Sequence, residues 1–195
     1  MTTDRPLADR LLAMARRDHD TRSRLAADGS LFDGYNEEMQ AVHDANAAEL
    51  AAILDAGGWP SRERVGAEAA DAAWLVAQHA IGLPDFQRRC LALIADAPDA
   101  PRWQAATLED RIRTFEGRAQ RYGTAFDWDA DGQMSPQPID DPAGVDARRA
   151  AVGLPPLAET IARHRSAMAN IPRPADPAAR QRDAAAWLKK VGWQT

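Results

Sequence analysis

The sequence predicts a mainly α-helical protein: an irregular bundle of five to seven helices, a small β-hairpin and a C-terminal helical tail. Three observations predict it. Alanine is abundant and β-branched residues are sparse over the first two thirds of the chain, so helix is the favoured local state. Apolar residues recur there at three- and four-residue intervals between Gly and Pro breaks. Only FDWDADGQMSPQP, near residues 125–139, reads as two short extended pieces around an Asp-Ala-Asp-Gly turn.

The elements follow in order. A first helix runs from Pro6 to Ala27, with Thr3 or Asp4 as its cap, Pro6 in its first turn and Asp28-Gly29 as its stop. Its stripe is Leu7, Leu11, Met14, Asp18 and Leu25, so an aspartate stands in the middle of an apolar face. Such a group needs a partner, and Arg22, one turn on, is the expected one. A second helix covers Asn36 to Ala56 and is closed by Gly57-Gly58. Its stripe is Met39, Val42, Asn46, Leu50 and Ile53, with His43 on the edge. Ser61 caps the segment after Gly58-Trp59-Pro60. The third main helix, Ala67–Ala80 (AEAADAAWLVAQHA), is apolar nearly all round and therefore buried. It ends in Gln78 and His79. A fourth helix, Asp85 to Ala95, shows Phe86, Cys90, Leu91 and Ile94 on one side. Thr107 reads as the N-cap of a fifth, with Leu108, Ile112, Phe115 and Ala119 facing inward, Arg111 beside them and Asp110 opposite. Gly117 falls within that helix. After the hairpin come short helices at Val145–Val152 and Leu157–Met168. The expected domain is 1–169. A proline-rich linker and a short amphipathic helix, Ala178–Val191, make up 170–195 and could dock on their own domain or on a partner.

Composition narrows the function. The 195 residues are 45% hydrophobic and 27% charged, with a net charge of −5, as in an ordinary soluble domain. No basic face points to nucleic acid, and no apolar run is long enough to span a membrane. The N-terminus lacks the apolar core of a secretory signal, so a cytoplasmic protein is expected. The single cysteine, Cys90, excludes disulfides and cysteine-based metal cages. No cofactor and no metal are expected: the four histidines are scattered, without an HxxxH or HExxH spacing. Asp127, Asp129 and Asp131 resemble the opening of a calcium loop, but Pro138 stands where its bidentate Glu belongs, so the segment reads as a turn. Arg148, Arg149, Arg163 and Arg165 read as a solvated basic face.

Several separated motifs resemble one family: Gly58–Pro60 with Val65-Gly66, Ala72–Ala80, Phe86–Leu91, Asp110-Arg111, Gly117–Thr124, and the Arg148–Leu157 stretch. Together they are similar to DUF6624, a bacterial family of unknown function, over roughly residues 7–160. The family pattern usually has Gln after Tyr-Gly-Thr, where this chain has Ala125, and an acidic residue after Gln-His-Ala, where it has Ile81. The resemblance implies fold boundaries and no activity.

The candidate site is a set of polar residues at core-facing or flanking positions. His79, Asp18 and Arg111 are the catalytic candidates: a general acid/base, a separate acid and a cation for an anionic group. Arg22, Asn46, Gln78, Gln120 and Tyr122 are the candidates for holding a small-molecule or peptide ligand. A structural network fixing helix register in a non-catalytic interaction protein remains the alternative reading of the same residues. That alternative also predicts a partner surface or self-association around Trp103 or the tail.

Overall fold

The computed structural model describes residues 3–32, 34–169, 171 and 176–195, with the side chain of Phe32 excepted. Most of the proline-rich linker lies outside the described residues. The mainly α class holds, with a two-stranded antiparallel hairpin and a C-terminal helix. No described helix is long and apolar enough to cross a membrane. The chain forms two compact units, Met1–Ala100 and Pro101–Thr195.

In the first unit α1 (Arg5–Ala27), α2 (Glu37–Gly57) and α4 (Ala67–His79) pack on one another. A short α3 (Arg62–Val65) and α5 (Pro84–Asp96) complete it. Local chemistry sets the ends. Asp4 caps α1 by accepting from the Leu7 N–H at 3.3 Å, and Pro6 occupies its first turn. Asn36 caps α2 through the N–H groups of Glu38 and Met39, and Ser61 caps α3. Gly58, at φ +71°, closes α2 in a conformation a side chain would strain. The seam of α1 is Leu7, Leu11, Met14, Asp18 and Leu25, all buried. In α2 the buried set is Met39, His43, Asn46, Leu50 and Ile53, with Ala47 and Leu54 beside it. His43 therefore belongs to the inward face, and Val42 is the edge residue. The third main helix is deeply packed as expected, with Ala73 and Ala77 fully buried.

In the second unit α6 (Arg102–Phe115) is capped at Pro101, six residues before the Thr107 cap that the sequence suggests. Thr107 is not its cap: the hydroxyl donates to the Trp103 carbonyl inside the helix, at 2.8 Å. Gly117, at φ +74°, lies beyond the helix end rather than within it. Strands β1 (Phe126–Trp128) and β2 (Met134–Pro136) pair antiparallel, Asp127 facing Ser135. Then come α7 (Val145–Ala151), α8 (Leu157–Met168) and α9 (Pro177–Lys190). The tail docks within its own unit. Trp187 and Trp193 set their rings 6.2 and 5.2 Å from that of Phe115, and Gln194 donates to the Phe115 carbonyl.

A candidate three-donor polar site in the first unit

Three helices place one polar side chain each at a single point. Asp18 comes from the middle of α1, His43 from α2 and His79 from the last turn of α4. Asp18 Oδ2 lies 2.7 Å from His79 Nδ1 and 3.1 Å from His43 Nε2. The side chains of Asp18 and His43 are 3% and 7% exposed, and that of His79 is 25% exposed. The buried carboxylate thus sits behind two imidazoles, one of which reaches the surface. On the far side of His43, Nδ1 is 2.7 Å from the Tyr35 hydroxyl. The His43 and Tyr35 rings are stacked, and the two imidazole centroids are 5.3 Å apart.

The electrostatics follow from this arrangement. Burial alone would push the Asp18 carboxyl up. The contacts with His43 and His79 outweigh it and hold the group far below the usual carboxylate range. Asp18 is therefore an anion at the centre of unit 1. Burial raises the Tyr35 phenol, and the charges of Asp44 and Asp18 add to the rise, so its hydroxyl stays protonated. His79 Nδ1–H donates to Asp18. The other ring nitrogen has no protein partner among the described residues. His43 differs: its Nε2 is buried beside Asp18, yet the contact is not directed as a hydrogen bond.

The expected partner of Asp18 was Arg22. The structure replaces it: Arg22 is exposed, and two histidines hold the carboxylate. A surface arginine keeps its hydration, whereas the seam position of Asp18 faces α2 and α4. Asn46 faces inward too, but both ends of its amide are engaged. Its Oδ1 accepts from Arg17 at 2.7 and 3.2 Å, and its Nδ2 donates to the Met14 carbonyl. Gln78 is buried, and its carbonyl, with that of Ala77, accepts from Gln87 Nε2. Gln87 thereby ties α5 to the turn that carries His79.

The remaining candidates, Arg111, Gln120 and Tyr122, belong to the second unit. The Arg111 guanidinium lies 5.9 Å from the Phe115 ring centre. Gln120 is fully buried with its amide engaged by the Ala125 N–H and the Ala125 and Gln137 carbonyls. Tyr122 gives its backbone N–H to Asp110.

The model of a family of unknown function, DUF6624, matches residues 5–169. The chain belongs to that family. No curated protein and no solved structure matches it. The DUF6624 match spans the whole triad, Asp18, His43 and His79.

Asp18 and His79 stand out in the sequence as polar residues on apolar helices, whereas His43 reads as an edge residue. The missed signal was there: 39, 43, 46, 50 and 53 alternate by four and three, a stricter seam than one through Val42. Two further buried polar groups were misplaced. Asp110, expected opposite the core face, is fully buried and accepts from the N–H groups of Arg121, Tyr122 and Thr124 and from the Thr124 hydroxyl. Arg149, expected on a solvated face, is 1% exposed. It donates to the carbonyls of Tyr122 and Pro155 and to the Thr160 hydroxyl. Both groups organise the 121–124 loop, whose backbone offers partners that no periodicity announces.

Proposed function

We propose that the first unit carries a small-molecule site at the triad, in which His79 exchanges a proton with the ligand and Asp18 positions it. The observation that carries this reading is the pair Asp18 Oδ2–His79 Nδ1, at 2.7 Å, with the carboxylate buried and the imidazole half open to solvent. A buried carboxylate that accepts from Nδ1–H fixes the tautomer and leaves Nε2 with its lone pair outward. That is what a general base needs. The proposal keeps His79 and Asp18 and adds His43. It leaves out Asn46 and Gln120, whose amides are occupied by the protein.

A second reading has its own observation. Asp18 and Asn46 stand in the seams of α1 and α2, where Arg17–Asn46–Met14 cross-ties the two helices. On that reading the triad fixes register and the protein acts by association with a partner.

Two measurements separate them. The first is a ligand-observed NMR screen of the full chain with carboxylic acids, phenols and amides. The proton-transfer reading expects hits that disappear in His79→Gln and persist in Arg10→Gln. The second is urea unfolding of His79→Leu. A stability loss of about 2–4 kcal/mol together with no His79-dependent hit would leave the structural reading standing alone.

A further inference from the structure

We infer that Asp18, His43 and His79 bind a divalent transition-metal ion of the zinc or iron(II) class. One donor atom from each residue lies within 4.8 Å of the other two. Two imidazoles and a carboxylate from three helices form a donor set suited to those ions, with coordination positions left for water or a ligand. The half-open side of His79 is where such positions would meet solvent.

Two observations go beyond the clustering. His43 Nε2 is buried without a directed hydrogen bond, although it lies 3.1 Å from the same carboxylate oxygen that His79 Nδ1 contacts. A buried ring nitrogen left in that state costs free energy, and a metal–nitrogen bond would remove the cost. The second is Tyr35. A metal-bound imidazole is characteristically held at its other nitrogen by an outer partner, and the Tyr35 hydroxyl sits 2.7 Å from His43 Nδ1.

Metal binding through His79 Nδ1 requires the lone pair there, so the proton moves to Nε2 on the open edge. Metal binding through His43 Nε2 leaves Nδ1–H to donate to the Tyr35 oxygen. Each neutral ring then keeps one proton, on the nitrogen that faces away from the metal. An occupied site thus withdraws the Nε2 lone pair, so His79 accepts a proton only in the metal-free state. The inference rests on the triad geometry and not on that role. Its donor set also disfavours calcium and magnesium, which seek all-oxygen shells.

The test uses the full chain, stripped with a chelator and dialysed. Titration with Co2+, followed by visible absorption, and with Zn2+, followed by calorimetry, should show one ion per chain. His43→Ala should weaken binding by about 100-fold and Tyr35→Phe by about 10-fold. His164→Ala, in the second unit, should leave it unchanged. Circular dichroism checks that each variant folds; should His43→Ala fail to fold, the wild-type stoichiometry and Tyr35→Phe still decide. Three results would overturn the inference. They are no stoichiometric Zn2+ or Co2+ binding by the folded wild type, unchanged affinity in folded His43→Ala, or Ca2+ and Mg2+ bound in preference to Zn2+. A fragment screen without His79-dependent hits defeats the proton-transfer reading and moves none of these readouts.

Discussion

Asp110 and Asp18 are both buried aspartates, and their partners set them apart. Asp110 meets three backbone N–H groups and a hydroxyl, all fixed donors in the 121–124 loop. With every donor supplied by the loop itself, that arrangement is built for folding. Gly123, in the same loop, shows how tightly the loop is held. At φ +67°, a Cβ there would stand 2.9 Å from both Ile139 Cδ1 and Leu157 Cδ1. Asp110→Ala should therefore destabilise the protein by about 3 kcal/mol, because it strands buried donors. Urea unfolding measures it, and a loss below about 1 kcal/mol would contradict the role given to the carboxylate. Cys90 makes a second prediction at this scale. It is fully buried, and burial pushes its thiol up to about 12. Iodoacetamide at about pH 8 should leave it unmodified in the native protein and alkylate it in urea.

At the scale of elements, helix ends were legible and helix partners were not. As caps, Asp4, Asn36 and Ser61 accept from N–H groups two or three residues on, and Pro6 and Gly58 act through their own backbone angles, so these signals are local. Thr107 looked equally local, yet its hydroxyl found a carbonyl inside the helix instead of an N–H at its start. Asp18 and His79 were legible as polar residues in apolar surroundings. That His43 would join them depends on how α1, α2 and α4 face one another, which no single helix encodes. The hairpin and α8 give the pH prediction. His164 stacks on Phe126 with ring centres 4.0 Å apart, and burial, helped by the Arg163 charge, lowers its pKa below the ordinary histidine value of about 6.5. A histidine kept neutral by the fold binds its proton more tightly when unfolded. Its contribution is thus fully present above about pH 6.5, and it is lost as the pH falls from there toward the lower folded value. The acid-side slope of stability against pH should be shallower in His164→Phe than in the parent. Identical slopes would mean that the stacked ring titrates as it does in the open chain.

At the scale of the whole molecule, the sequence foresaw a mainly helical chain but could not say what its last helix does. Trp187, Leu188 and Val191 marked α9 as amphipathic, and such a face fits a partner as well as it fits its own domain. The structure assigns the face within the second unit, because Phe115 leaves an aromatic surface at the end of α6 that the tail tryptophans meet. The family match ends at residue 169 and the second unit runs on to Thr195, so the tail side of this packing lies outside the matched residues and Phe115 within them. Trp193 is 4% exposed, and the neighbouring Gln194 pins the backbone through the Phe115 carbonyl. Truncating a buried tryptophan removes its transfer free energy and leaves a cavity, which together cost about 3–5 kcal/mol. Trp193→Ala should therefore lower the thermal midpoint of the protein, while Arg182→Ala, on the exposed side of α9, should not. If Trp193→Ala melted like the parent, the tail would contribute nothing to the fold. Its aromatic face would then be free to serve an external partner, which is the role the interaction-protein reading would need it to fill.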